Sequence, residues 1–88
     1  MAIEFPNLSR TYDATRHCVR FSGYDGPIER SFFVEEEALR RLDAGAKDGE
    51  LGLLHAFDHN RDRICKVAGQ AYGRRREGSY TLKAEDFS

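Results

Sequence analysis

The sequence has little of what marks disulfide-stapled, membrane-spanning or strongly nucleic-acid-binding chains. Only two of its 88 residues are cysteine, which excludes a disulfide framework and favours the reducing cytoplasm. No apolar run approaches the ~20 residues that a transmembrane helix needs, and no basic stretch followed by an apolar one predicts a secretory signal. With 14 Lys and Arg against 15 Asp and Glu, the net charge of −1 gives no overall attraction to nucleic acid or anionic lipid.

The residues that are present are those of a folded domain. Hydrophobic residues make up 40% of the chain and charged residues 33%, with six phenylalanines and four tyrosines. A disordered chain has few aromatic residues. No repeat, low-complexity tract or linker divides the sequence, so residues 1–88 are predicted to form a single domain.

The first half of the chain has the alternation of strands. Apolar and polar residues alternate over 3–5, 17–21 and 28–34, and no strand is predicted in the polar stretch 9–16. The segment 23–27 combines two glycines, an aspartate and a proline, which are turn-forming residues. The sequence therefore predicts three strands, of which the second and third form a hairpin.

Helical spacing replaces this alternation at Glu35. Apolar residues recur on one helix face through the segment 38–46, which predicts a first helix. A longer second helix is predicted over residues 53–72, although Asn60 and Arg61 interrupt its apolar stripe.

The last elements complete the expected fold. The second helix is expected to end at Gly73, a short strand follows at 79–82, and Phe87 is expected to anchor the tail on the core. The helix stripes and the strand faces each need an apolar partner, and a chain of this length leaves no room for a third layer. The prediction is an α+β two-layer domain: a mainly antiparallel sheet, in the order β-β-β-α-α-β, with two helices packed on one face.

The sharpest candidate for chemistry is the run His55-Ala-Phe-Asp58-His59. Histidines four residues apart share a helix face, and Asp58 adds a third metal-competent group, which makes a metal-dependent enzyme one hypothesis. The alternative is an ordinary solvated histidine pair, since Leu54 and Phe57 mark the core side of the helix. The alternative is preferred. No cofactor is predicted, because the glycines form neither a dinucleotide-binding nor a P-loop pattern.

A basic run follows the second helix. Arg74, Arg75 and Arg76, together with Arg40 and Arg41, are candidate contacts to nucleic acid, which basic clusters bind by releasing counterions. Three charges on a near-neutral domain predict weak binding without sequence preference. The preferred interpretation is that the run caps the negative end of the helix dipole.

Asn60 and Arg61 lie on the apolar stripe of the predicted second helix. Polar side chains buried there need hydrogen-bond partners, which makes this pair of residues a candidate site. Arg61 offers five donors, and the segment around Arg10, Tyr12 and Asp13 is expected to accept them. An anchor between helix and loop is preferred to a ligand pocket.

The two cysteines lack redox spacing. Cys18 and Cys65 are far apart in sequence, and both are predicted to be small buried hydrophobic residues rather than nucleophiles.

Phe33 points to an interface. It lies on the strand face opposite Phe32 and is hard to bury in a two-layer fold, so it is a candidate contact on an open sheet face. With no converging catalytic groups, the leading hypothesis is a non-enzymatic interaction or structural module, with a homodimer as one arrangement. A regulatory nucleic-acid-binding protein is the alternative.

A combined pattern of short motifs covers nearly the whole chain, in these segments: 3–7, 10–13, 19–23, 33–39, 57–64, 68–72, 79–82 and 86–87. Together these motifs resemble DUF1488, a family of small bacterial proteins of unknown function. The resemblance implies a stand-alone cytoplasmic protein with a compact α+β fold and no established activity. It also implies a shared polar cluster, formed by Asn7, Arg10, Tyr12, Asp13 and Arg61, and it gives no support to a metal site at His55 and His59.

Overall fold

Four strands form one sheet in chain order. The structure is a computed structural model that describes residues 3–75 and 77–87. The strands are β1 (Thr11–Asp13), β2 (Cys18–Asp25), β3 (Ile28–Glu35) and β4 (Ser79–Leu82). The pairs β1–β2 and β2–β3 are antiparallel, while β4 runs parallel to β3 after the helical connection. The sheet is therefore mixed and mainly antiparallel.

Three helices, not two, join β3 to β4 in the described part of the chain. They are α1 (Glu36–Leu42), α2 (Glu50–His59) and α3 (Arg61–Arg74). The prediction of one long second helix is wrong because Asn60 breaks it, with φ −117° and ψ 19°, and its side-chain Nδ2 donates to the Ala56 carbonyl over 2.9 Å. Such an amide competes with the backbone for hydrogen bonds. None of the described helices has the length and apolar character to cross a bilayer.

The first strand lies later than predicted. In the segment 3–5 only Glu4 pairs with the sheet, through an isolated antiparallel bridge to Tyr24 with backbone N···O distances of 2.9 and 2.8 Å. Pro6 follows directly and has no N–H for a ladder. The strand forms instead at Thr11–Asp13, where the turn back to β2 is closed by the Arg16 N–H bond to the Asp13 carboxylate.

The predicted hairpin is confirmed. Asp25 pairs with Ile28 across a two-residue turn, and Gly26 has the positive φ of 61° that such turns require. The register places Phe21 opposite Phe32, so both rings point to the same face.

All three helices pack on that face, which confirms the predicted two-layer α+β architecture. The core brings aromatic rings from sheet and helices together, with Phe32 5.1 Å from Tyr80 and Phe21 5.1 Å from Phe57 between ring centroids. Phe87, in a short 3₁₀ turn after β4, is buried against this core as predicted. The core contains these buried residues: Val19, Phe21, Phe32, Val34, Ala38, Leu39, Leu53, Leu54, Ala56, Phe57, Ile64, Val67, Ala68, Ala71, Tyr72, Tyr80, Leu82 and Phe87.

Candidate interaction surfaces

Asp58 ties the N-terminal segment to the junction of α2 and α3. Arg10 donates to both of its oxygens, from Nε at 2.9 Å and Nη2 at 2.8 Å, and Arg61 Nη2 donates to Oδ1 at 3.1 Å. The same Arg61 nitrogen reaches the Leu8 carbonyl at 2.8 Å. The hydrogen bond from Arg10 lowers the pKa of Asp58, which remains a carboxylate. Arg61 therefore links the start of α3 to the backbone of the N-terminal segment at Leu8, just before the segment around Arg10 in which its partners are expected.

The five residues of the predicted polar cluster do not meet at one point. Asn7 accepts the backbone N–H of Ser9 through its side-chain oxygen, which is a local turn contact, and Asp13 closes its own turn. Of these five, only Arg10 and Arg61 come together, and they do so through Asp58, which the sequence analysis considers as a candidate metal ligand. The partner of Arg10 is 48 positions away, so no local pattern announces it.

Tyr12 joins a second charged group, centred on Glu36 at the start of α1. Its hydroxyl donates to Glu36 Oε2 over 2.6 Å, Arg40 Nη2 reaches Oε1 over 3.2 Å, and His17 Nδ1 lies 3.6 Å from Oε2. The hydrogen bond with Tyr12 lowers the pKa of Glu36 and raises that of Tyr12. This group fixes β1 and the turn before β2 against α1.

The predicted metal ligands do not converge. The rings of His55 and His59 are 6.4 Å apart between centroids, while Asp58 is bonded by the two arginines. His59 is mostly exposed and its Nδ1 is 3.9 Å from Asp43 Oδ2. Across the described part of the chain, no group of three or more His, Cys, Asp or Glu side chains is placed to hold a metal ion. This geometry gives no support to the hypothesis of a metal site at these three residues, because the two arginines bind the Asp58 carboxylate and the two histidine rings lie apart.

Both cysteines have the character of small hydrophobic residues. Cys18 is buried and Cys65 partly buried, and both are free thiols. Burial is the main cause that raises the pKa of each, so each remains a protonated thiol near neutral pH.

The basic run at the end of α3, the candidate contact to nucleic acid, is partly engaged in an ion pair within the chain. Arg75 is paired with Glu77 at 2.8 Å, whereas Arg74 is exposed. Arg76 lies outside the described residues. Arg40, expected to assist, is engaged within α1 and by Asp48.

A groove of about 480 Å³ separates α3 from the 3₁₀ turn. Val67 and Phe87 form its apolar part, and Lys66 is among the polar residues beside them. Arg63 is held by a 2.8 Å bond to the Phe87 carbonyl, and Asp86 accepts the backbone N–H of Lys83 over 2.7 Å. The groove is therefore braced by contacts within the chain.

The second face of the sheet is here called the open sheet face. Strand alternation and register place these side chains on it: Thr11, Asp13, Cys18, Arg20, Ser22, Tyr24, Glu29, Ser31, Phe33, Glu35, Ser79 and Thr81. The helix residues of the core pack on the opposite face. Arg20 is exposed although it lies in a central strand.

Phe33 does not provide the exposed ring expected on this face. It is only 7% exposed, and the guanidinium of Arg16 lies 3.8 Å from its ring centroid. A cation stacked on an aromatic ring is attracted by the ring quadrupole. The argument for an interface from an exposed Phe33 is therefore wrong, because Arg16, in the turn between β1 and β2, covers the ring.

The fold and these surfaces define a small α+β domain whose helices cover one face of its sheet. The family model described as protein of unknown function (DUF1488) matches residues 3–82, so the chain belongs to the DUF1488 family, as its resemblance predicts. A crystal structure of a DUF1488 protein of unknown function from Shewanella loihica PV-4 is similar, with a TM-score of 0.80 and 17% sequence identity, covering 91% of this chain and 90% of that chain. No curated protein matches the chain.

Proposed function

We propose that this protein is a non-enzymatic interaction module that works through its open sheet face. The observation that carries the proposal is the exposure of Arg20 in a central strand of a sheet whose other face holds the core. Antiparallel sheets often leave one face in solvent. On that face Ser22 and Ser31 lie side by side in β2 and β3 and present small polar side chains to a partner.

The pKa shifts of the chain support a role without catalysis. A general acid or base works best when its pKa lies near the working pH. The pKa values of Glu36 and Asp58 are instead lowered, and those of Tyr12, Cys18 and Cys65 are raised. Each of these shifts moves the pKa of the group further from neutral pH.

A photo-crosslinking amino acid at single surface positions tests this proposal in living cells. Ser22 and Ser31 report on the open sheet face, and the exposed Gln70 of α3 is the matched control. We expect discrete crosslinked products from the two serine positions and none of the same mass from Gln70. Products from Gln70 alone, or an identical pattern from all three positions, would contradict an interface on the sheet.

A second candidate function is weak binding of nucleic acid along α3. The favouring observation is that Arg63, Lys66 and Arg74 are exposed at spacings of three and eight residues, which place them on one side of the helix. With about three phosphate contacts, the affinity for an oligonucleotide should fall with a log–log salt slope of about −2 to −3. Fluorescence anisotropy at several salt concentrations measures this slope. Binding that survives alanine at Arg63, Lys66 and Arg74 together, or that does not weaken with salt, would contradict the idea.

We also propose that the protein works in a reducing compartment, the cytoplasm. Its two cysteines are free, and Cys18 is buried at the start of β2. Rapid acid trapping of cells, followed by alkylation and mass spectrometry, should find both thiols reduced. A large oxidised fraction would contradict this placement.

A further inference from the structure

Two opposite charges on the open sheet face have no ion-pair partner among the described residues. Arg20 donates there only to Ser31 Oγ, over 3.2 Å, and Glu29 is exposed. Neither residue takes part in the ion pairs of the described part of the chain. In the register of the sheet Arg20 lies opposite Phe33, which is four residues along β3 from Glu29. That offset is about 13 Å along the strand, so the two charges do not meet within one copy.

The register arranges these charges symmetrically. Ser22, Ser31 and Ser79 lie side by side across β2, β3 and β4 and form one row, here called the serine row. Arg20 precedes Ser22 by two residues, and Glu29 precedes Ser31 by two residues. Because β2 and β3 are antiparallel, the two charges lie on opposite sides of the serine row at equal distance from it.

We propose that the open sheet face binds the open sheet face of a second copy of this chain, about a two-fold axis along the serine row. The proposal rests on the proposed function and names its partner. The two-fold rotation reverses the strand direction, so Arg20 lies over the Tyr24–Glu29 pair of the partner. Sheets pack about 10 Å apart and neighbouring strands are about 5 Å apart. An arginine side chain spans this geometry, so each copy offers Arg20 to the other's Glu29.

The remaining groups of the face fit this arrangement. The serine row has small side chains where the two sheets approach most closely. Asp13 and Glu35 lie one row beyond Arg20, and the same rotation carries them past the hairpin turn of the partner, away from its Glu29. Arg16 stays stacked on Phe33, which the rotation places opposite the partner's Glu29, so its positive charge adds to that of Arg20 there. The opposite charges of Arg20 and Glu29 select this self-complementary pairing, since like charges in the same place would oppose it.

Charge reversal tests the pairing by sedimentation equilibrium and light scattering. R20E and E29R should each weaken self-association by at least about tenfold, since each places like charges against each other. An equimolar mixture of the two variants should associate again, because the introduced glutamate of one chain then faces the introduced arginine of the other, while the native Arg20 and Glu29 form the second pair. K66E, on the exposed side of α3, is the control and should leave self-association unchanged. Far-UV circular dichroism checks that every variant is folded.

Three outcomes would overturn the inference. The first is a wild-type chain that stays monomeric at high concentration, and the second is a dimer that both reversals leave intact. The third is a mixture that associates no better than its two components. Crosslinks from Ser22 to a different protein, with a monomeric wild type, would overturn the second copy as partner while the proposed interaction module stands. Absence of any product from the serine positions would overturn both.

Discussion

The Phe5 ring packs against Gly23, where there is no side chain. Adding a single methyl group at position 23 tests that contact. A Cβ at Gly23 would lie 2.6 Å from Phe5 Cε1, closer than Cβ atoms pack, and a tight 3.0 Å from both Phe5 Cδ1 and Ile3 Cδ1. The Phe5 ring cannot yield by small steps, because it is held 5.8 Å from Phe21 and 5.5 Å from Phe32 between centroids. In Gly23→Ala the Phe5 ring must therefore move out of its position against Phe21 and Phe32.

The cost follows from the contacts that Phe5 gives up. Each aromatic pair is worth about 0.5–1.5 kcal/mol beyond burial, so losing both pairs costs about 1–3 kcal/mol, and some burial of Phe5 is lost in addition. We expect Gly23→Ala to lower the free energy of unfolding by about 2–3 kcal/mol. For a domain of this size that corresponds to a fall in Tm of about 8–24 °C.

Urea and thermal unfolding, followed by far-UV circular dichroism, measure the loss. Gly73→Ala is the matched control, because a Cβ at Gly73 meets nothing within 4 Å. It should raise stability by about 0.5–1 kcal/mol, as alanine does in a helix. In a Phe5→Ala background the Gly23→Ala change should cost little. An equal cost with and without the Phe5 ring would refute the reasoning.

Two further predictions concern the charged anchor and the thiols. Asp58→Asn should destabilise the chain by about 1 kcal/mol at pH 7, a modest figure because the pair with Arg10 is partly exposed. The pKa of Asp58 is lowered from 3.8 by Arg10, so its contribution is complete above that pH and is lost as the pH falls through the lower folded value. The difference in urea midpoint between variant and wild type should therefore be smaller at pH 2 than at pH 7, and an equal difference at both would contradict the pairing. Burial raises the pKa of both thiols, so alkylation of the folded chain should be slow at Cys65 and slowest at Cys18, with unfolding in urea removing the difference. Fast labelling of folded Cys18, followed by mass spectrometry, would contradict its burial.

The sequence predicts those parts of the fold that are determined by residues close together along the chain. The hairpin of β2 and β3 is an example, since two alternating segments flank a turn rich in glycine. The strand β1 is missed because three residues are too few for alternation to register. The break at Asn60 is visible only as a gap in an apolar stripe. A polar residue in that gap is compatible with a continuous helix as well as with two helices.

The candidate site depends on contacts that no local pattern contains. Asp58 follows Phe57 on a helix and precedes His59, which suggests metal binding, yet its partner Arg10 comes from the far end of the chain. The burial of Phe33 depends likewise on Arg16, a residue in a turn. Sequence spacing can place a side chain on a face of its own element, but not identify which other element supplies its partner.

These contacts also give a physical account of the motifs that carry the family resemblance. Phe5 requires a glycine at position 23, and Arg61 holds the backbone of Leu8, so both motif positions serve the attachment of the N-terminal segment. Arg20 belongs to the same set of motifs, but it is exposed, and its one side-chain bond among the described residues is to Ser31. Neither packing nor an ion pair within the described chain accounts for an arginine at that position. A partner that meets the open sheet face with a carboxylate does account for it, which is why the charge reversals at Arg20 and Glu29 decide between a structural and a functional role for this face.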